Sequence, residues 1–163
     1  MNVNETPASP LTQEHLLVSH QTTSADEDTT TRSGAPDGRE SYERGTALKN
    51  VGLFKQAAEH FEQAAQDPIY ALRGFAQMGL CLKKSGKLNE AVAVFRRALQ
   101  VPSTSSKEQV QILYLLGRTL ESLGRIPETL ETYRWLRREA PHYRDVATRI
   151  ESLGTRRMHT TNR

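Results

Sequence analysis

The side chains that could carry out catalysis or bind a metal are few and widely spaced in this chain. The single cysteine, Cys81, lies in an apolar helical stretch, which is typical of a buried structural thiol rather than a nucleophile. No glycine-rich loop could hold a phosphate, and the histidines do not stand at the spacings of a metal site. They are His15, His20, His60, His142 and His159. We therefore predict a protein that is not an enzyme and has no metal site, no cofactor and no small-molecule substrate.

The cysteine count, the first twenty residues and the length of the apolar stretches indicate the cellular compartment. One cysteine excludes an internal disulfide and fits a reducing environment. The first twenty residues show no basic start followed by an apolar run, so a secretory signal is not expected. No stretch reaches the roughly 20 apolar residues that a membrane-spanning helix needs. The sequence thus predicts a cytoplasmic protein without a membrane span.

Charge is distributed unevenly along the chain. Residues 1–38 contain six acidic residues and one arginine, a net charge of −5, whereas the whole chain carries +3, so the remainder carries +8. Residues 1–37 are rich in Thr, Ser, Asp and Pro, and they have too few apolar side chains to offset the entropy lost on ordering. We predict a disordered acidic tail at 1–37 and a disordered basic tail at 155–163.

From residue 38 onward the chain repeats itself. Glycine, alanine and aromatic residues of the first unit return 34 residues later in the second and a further 38 later in the third, after an insertion of four residues. The predicted units are 38–71, 72–105 and 106–141, and residues 142–154 follow as a capping helix. The repeated positions are Gly45, Gly52, Ala57, Phe61 and Ala64, then Gly79, Gly86, Ala91, Phe95 and Ala98, then Gly117, Gly124 and Tyr133.

These positions predict an all-α fold built from antiparallel helix pairs. Gly52 suits the end of the first helix, where a left-handed residue terminates it without a Cβ penalty. Gly45 lies inside that helix, where glycine costs up to about 1 kcal/mol and is explained by close approach of the paired helix. Phe61 follows the small Ala57 by four residues, so both lie on one face of the second helix.

The three units resemble tetratricopeptide repeats, which carry Gly, Ala, an aromatic residue and Ala at their eighth, twentieth, twenty-fourth and twenty-seventh positions. The resemblance covers roughly residues 38–141. It implies a short right-handed solenoid of three helix pairs, closed by the C-terminal capping helix, whose first helices line a concave groove. The departures from the family pattern are Ser41, Phe75 and Leu113 in place of tryptophan, and Thr129 and Leu136 in place of alanine.

The resemblance also implies which residues line the groove. That surface is basic and contains two tyrosines, so we predict that it binds a peptide or helix of a partner protein, acidic in character. Tyr42 and Tyr114 are the predicted anchors, and Lys49, Lys83 and Arg118 steer the approach. The full predicted set is Tyr42, Thr46, Lys49, Arg73, Ala76, Gln77, Leu80, Lys83, Gln111, Tyr114, Leu115 and Arg118.

One known use of such a groove is not expected here. Co-chaperones of this family grip the C-terminal carboxylates of heat-shock chaperones with a set of lysine, asparagine and arginine side chains. The corresponding positions in this chain are Tyr42, Thr46, Gln77, Gln111 and Leu115. Recognition of that C-terminal motif is therefore not predicted.

Several functional alternatives remain open at this point. The protein is either a scaffold or adaptor that assembles partners, or a small dedicated chaperone for a secreted or assembling client. Interspersed glutamates argue against nucleic-acid binding by the arginine pairs. The acidic tail around residues 26–28 is a candidate competitor for the groove. Trp135 marks either a second, convex interaction surface or a contact with the final helix. The sequence does not indicate the oligomeric state.

Overall fold

A computed structural model describes residues 37–102 and 105–161 of the chain. Within these ranges every regular element is a helix. The helices are α1 (Gly38–Asn50), α2 (Phe54–Ala64), α3 (Ala71–Lys84), α4 (Leu88–Gln100), α5 (Ser106–Ser122), α6 (Ile126–Glu139) and α7 (Val146–Thr161). The predicted acidic tail, apart from Asp37, lies outside the described residues.

Successive helices form three antiparallel pairs joined by the same tight turn. Gly52, Gly86 and Gly124 adopt positive φ angles of 83°, 78° and 69°. The residue after each glycine donates its N–H back into the first helix, as Leu53 does to the Leu48 carbonyl at 2.9 Å. This hydrogen bond gives a carbonyl in the last turn of the first helix a partner and holds the chain in a tight reversal. The second helix of each pair therefore begins two residues after the glycine.

Within the first two pairs, an aromatic ring of the second helix lies against a glycine of the first. A Cβ atom added at Gly79 would lie 2.5 Å from Cε1 of Phe95, and one added at Gly45 would lie 3.0 Å from the ring of Phe61. Both rings are fully buried. The close approach of the paired helices thus depends on the missing side chain at each glycine.

The pairs stack in order, with α2 packed on α3, α4 on α5 and α6 on α7. One apolar cluster joins the first two pairs to α5, with Phe61, Phe95 and Leu120 fully buried. A second cluster joins the third pair to α7, which contributes Val146 and Leu153. The final helix therefore covers the apolar end of the stack, as expected of a terminal cap in a repeat protein.

The departures from the family pattern are accommodated without opening the core. Ser41, Phe75 and Leu113 are all buried where tryptophan is usual. Thr129 is fully buried and donates its hydroxyl to the Arg125 carbonyl at 2.9 Å, so its polar atom is satisfied within its own helix.

The last helix differs from the prediction at both ends. The sequence predicts it at 142–154, followed by a disordered tail at 155–163, whereas the helix spans Val146–Thr161. Gly154 does not take the positive φ of the three turn glycines. A glycine that keeps helical geometry lowers helix stability but does not end the helix.

Candidate binding groove

The first helices of the three pairs, α1, α3 and α5, line a hollow of about 150 Å³ on the concave side. Its floor is apolar, and its rim carries amide, guanidinium and carboxylate groups. The lining residues are Tyr42, Leu72, Arg73, Ala76, Gln77, Leu80, Glu108, Gln111, Ile112 and Leu115. Seven of the twelve residues predicted for the groove are thus brought together here: Tyr42, Arg73, Ala76, Gln77, Leu80, Gln111 and Leu115.

Tyr42 stands at the α1 side of the hollow with its ring held from two directions. Its ring meets Phe61 edge to face with centroids 5.4 Å apart, and it lies tilted against Tyr70 at 5.6 Å. Aromatic pairs at these distances stabilise one ring orientation. Tyr42 therefore presents a fixed, half-buried surface to the hollow.

Two predicted polar residues of α1 are engaged by their neighbours. The Thr46 hydroxyl donates to the Tyr42 carbonyl at 2.9 Å, which uses its hydrogen within α1. The Lys49 ammonium donates to Oε1 of Gln77 at 2.9 Å, which links the first pair to the second. Lys49 thus borders the hollow through Gln77 and keeps further donors for a ligand.

A second group of basic residues lies further along the first helices. Lys83 is half-buried, and burial, followed by the nearby charge of Arg118, lowers the pKa of its ammonium. The Arg118 guanidinium lies 3.9 Å from Glu121 and 3.5 Å from the Tyr114 hydroxyl. Lys83 has no salt bridge within the described residues. The charge of Lys83 is therefore only weakly compensated.

Tyr114 is placed differently from the prediction. Its side chain is 8% exposed, its hydroxyl donates to Asp145 at 3.0 Å, and its ring packs edge to face on Tyr143. The Arg144 guanidinium lies 4.8 Å from the same ring centroid. The segment that leads into α7 therefore covers Tyr114, which leaves it little surface for a ligand.

Below Tyr114 is a polar network that the sequence did not predict. The Tyr133 hydroxyl donates to Glu121 at 2.9 Å, and Arg149 donates to both carboxylate oxygens of Glu121 and to Asp145. Burial, reinforced by the bond to Glu121, raises the pKa of Tyr133 well above its usual value. The hydrogen bond from Arg149 lowers the pKa of Asp145. The only sequence signal was the i, i+4 spacing of Asp145 and Arg149 in the predicted capping segment.

The groove residues missed by the sequence analysis are Leu72, Glu108 and Ile112. Glu108 lies 3.7 Å from Arg73 across the α3–α5 boundary, so the charges at that part of the rim offset each other. Among the described residues, no group of histidine, cysteine or acidic side chains is arranged to hold a metal ion. In the same part of the chain, none of the helices is long and apolar enough to cross a membrane.

Solved structures with the same fold include peptide-bound examples. The type III secretion chaperone SycD of Yersinia enterocolitica, in complex with a peptide of the translocator YopD, is similar with a TM-score of 0.62 and 13% identity over 73% of this chain and 93% of that one. The TPR domain of Arabidopsis OM64 gives a TM-score of 0.58 and 15% identity, over 71% and 93% of the two chains. The second TPR domain of human RPAP3, in complex with the HSP70 peptide SGPTIEEVD, gives a TM-score of 0.57 and 15% identity, over 72% of this chain and 98% of that one.

The repeated helix pairs, their glycine and aromatic contacts and these similarities define a tetratricopeptide-repeat protein. Residues 19–111, more than half of the chain, match the family described as T7SS, ESX-1 secretion system protein EccA1, N-terminal domain. The chain belongs to that family. No curated protein sequence matches it at a significant level.

Proposed function

We propose that this chain is a non-catalytic interaction scaffold that binds a peptide or helix of a partner protein in the concave groove. The observation that supports this function is the hollow between α1, α3 and α5, where an apolar floor meets polar side chains on the rim. Apolar pockets with a few placed polar groups are suited to seat one anchoring side chain and fix its orientation. Leu80 and Leu115 on the floor and Tyr42 at the side would contact that anchor.

The charges of the groove favour an acidic partner segment. Lys83 and Arg118 share a single nearby carboxylate, that of Glu121, which already accepts hydrogen bonds from Tyr133 and Arg149. A carboxylate of the ligand beside Lys83 would supply the missing compensation in a half-buried environment, where charge pairs are stronger than at the open surface. Because Tyr114 is covered, we assign anchoring to Tyr42 and Leu80 rather than to the two tyrosines.

The family suggests the setting in which the partner is found. Since the chain belongs to a family described by a type VII secretion system protein, we propose that the partner is a component or a secreted client of such a system. A second candidate function is that of a small chaperone for a secreted client. The fold shared with the secretion chaperone SycD, which is seen with a peptide of its translocator, favours this candidate.

The test begins with the partner captured from the native host on the full-length chain and identified by mass spectrometry. Its affinity is then measured by calorimetry for the wild type and for the variant Lys83→Glu/Arg118→Glu. A matched control, Lys55→Glu/Arg137→Glu, carries the same change in charge at exposed positions outside the groove. We expect the groove variant to bind at least tenfold more weakly and the control to bind within twofold of the wild type. Equal affinities for all three proteins would refute the groove as the binding site.

A separate measurement distinguishes the scaffold from the chaperone. If the protein is a scaffold, the partner should remain folded and soluble when the chain is deleted, and the two should copurify at a fixed ratio. If it is a chaperone, the client should become insoluble or be degraded in the deletion strain, and wild-type chain supplied in trans should restore it. The cytoplasmic location stays a prediction, which fractionation of the host with an antibody against the chain would check.

A further inference from the structure

A second groove lies on the outer side of the stack, between the second helices α4 and α6. It is an open cavity of about 510 Å³, separate from the concave hollow, and Leu116 of α5 lies at its floor. Leu99 of α4 and Trp135 of α6 provide apolar walls. Trp135 is only half-buried, and its indole N–H has no hydrogen-bond partner among the described residues. An apolar wall with a free donor is therefore open to a ligand.

Trp135 occupies a position that is polar in the other two pairs, where Gln63 and Arg97 stand. Arg97 lies over the ring of Phe75, 4.4 Å from its centroid, so in the second pair this position is used by a contact within the stack. Trp135 also packs against the apolar cluster that joins the third pair to Val146 and Leu153 of α7. That contact leaves the groove side of the indole accessible.

Some of the charged residues around this groove form ion pairs, and others do not. Arg96 on the α4 side is bound to Glu128, which also accepts from Arg125, and hydrogen bonds from these two arginines lower the pKa of the Glu128 carboxyl. Arg138 of the lining is exposed on α6 and forms no ion pair with any described residue. Glu131 is the acidic residue of the lining. Arg96, Arg125 and Arg138 thus outnumber Glu128 and Glu131, so the groove carries a small excess of positive charge beside an apolar wall.

We propose that this outer groove is a second docking site, which binds an acidic segment of a partner protein with one apolar side chain against Trp135. A carboxylate of the segment meets Arg138, and the indole N–H donates to the segment. Charge complementarity at the rim and apolar contact at the centre are the usual division of work at an interface. Because this groove and the concave hollow lie on opposite sides of the stack, the chain can hold two partners at once.

The chain contains a single tryptophan, so the intrinsic fluorescence of the full-length protein reports directly on this groove. The probe is a fifteen-residue polyglutamate peptide with one central leucine, titrated at constant ionic strength. Two control peptides have serine in place of the leucine or lysine in place of every glutamate. We expect a saturable blue shift of Trp135 emission with the acidic leucine peptide and at least tenfold weaker binding of both controls. The absence of a saturable shift would overturn the proposal.

Two variants on the same helix give a matched pair. Arg138→Glu reverses a charge of the groove, and Arg137→Glu makes the same change one residue away, outside its lining. We expect Arg138→Glu to weaken binding of the acidic peptide at least tenfold and Arg137→Glu to change it less than twofold. Circular dichroism and urea unfolding confirm that both variants fold. Equal effects of the two variants would overturn the proposal, because the peptide would then respond to the net charge alone.

Other occupants of the groove are distinguished in the same assay. A blue shift that grows with protein concentration and no peptide would indicate a second copy of the chain. A red shift in the full-length variant Asp26→Asn/Glu27→Gln/Asp28→Asn would indicate that the acidic N-terminal segment fills the groove. A saturable, salt-sensitive shift with a single-stranded oligonucleotide, at lower concentration than with the peptide, would indicate a nucleic acid. Each of these results would overturn the assignment to a partner protein.

Discussion

Gly117 lies against the ring of Tyr133, so closely that a Cβ atom added to it would be 2.3 Å from Cε1 of the ring. The ring is fully buried and its hydroxyl is bound to Glu121, so it cannot move aside. This contact joins the two helices of the third pair in the way that Gly79 and Phe95 join those of the second. It also connects helix packing to the polar network under the final helix.

The first prediction concerns this contact. We expect Gly117→Ala to lower the free energy of unfolding by about 1–2 kcal/mol, because the cost of overpacking exceeds the gain of up to about 1 kcal/mol in helix propensity. Gly154→Ala is the control: it lies inside α7 with no atom within 4 Å of an added Cβ, so we expect it to stabilise the protein by about 0.5–1 kcal/mol. Urea unfolding followed by circular dichroism measures both. A neutral or stabilising Gly117→Ala would contradict the observed packing.

The second prediction is a dependence of stability on alkaline pH. Burial and Glu121 raise the pKa of Tyr133 in the folded state above the unfolded value of about 10. The stability that the neutral phenol contributes is fully present below pH 10 and is lost as the pH rises further, since only the unfolded state then releases the proton. At pH 11 the loss is about 1 kcal/mol. Urea unfolding at pH 8 and pH 11 should show a smaller loss for Tyr133→Phe than for the wild type. The control Tyr70→Phe should lose as much as the wild type.

The third prediction concerns the ion pair between Arg149 and Glu121. The two side chains are 22% and 24% exposed and are joined at 2.9 Å, which is a better shielded geometry than a surface pair. A double-mutant cycle with Arg149→Met and Glu121→Gln should give a coupling energy of about 1–2 kcal/mol in urea unfolding. The exposed pair Arg39 and Glu43, 2.8 Å apart, should give no measurable coupling. Similar couplings for the two pairs would show that burial does not strengthen the network.

The fourth prediction concerns the reactivity of Cys81. Its side chain is 1% exposed, and burial raises the pKa of the thiol, so both access and the thiolate fraction are reduced. We expect a water-soluble aromatic disulfide to modify native Cys81 at least a hundredfold more slowly than the same chain in 6 M urea, at equal pH. Absorbance of the released thiolate gives the rate. A native rate close to that in urea would mean that α3 opens readily to solvent.

Contacts within one repeat could be predicted from the sequence because each relates residues at short, fixed separations. The positive φ of Gly86 follows from its place at the end of a helix, and the burial of Phe95 follows from its spacing to Ala91. The capping helix predicted at 142–154 instead spans Val146–Thr161, with Gly154 in its interior. A glycine alone does not decide between a helix interior and a helix end, because the energy difference is only about 1 kcal/mol and packing against the preceding helix outweighs it.

The sequence by itself therefore determined the three helix pairs, their turns and the aromatic and glycine contacts within them, since these depend on local geometry that repeats. The tertiary structure alone decided which side chains remain available to a partner. The position of Tyr114 within its repeat predicts that it lines the groove. Its hydroxyl instead donates to Asp145, 31 residues later, where α7 docks. Trp135 keeps an open side because α4 and α6 leave a groove above Leu116. Exposure depends on how distant helices pack, and the spacing of residues within a repeat does not contain that information.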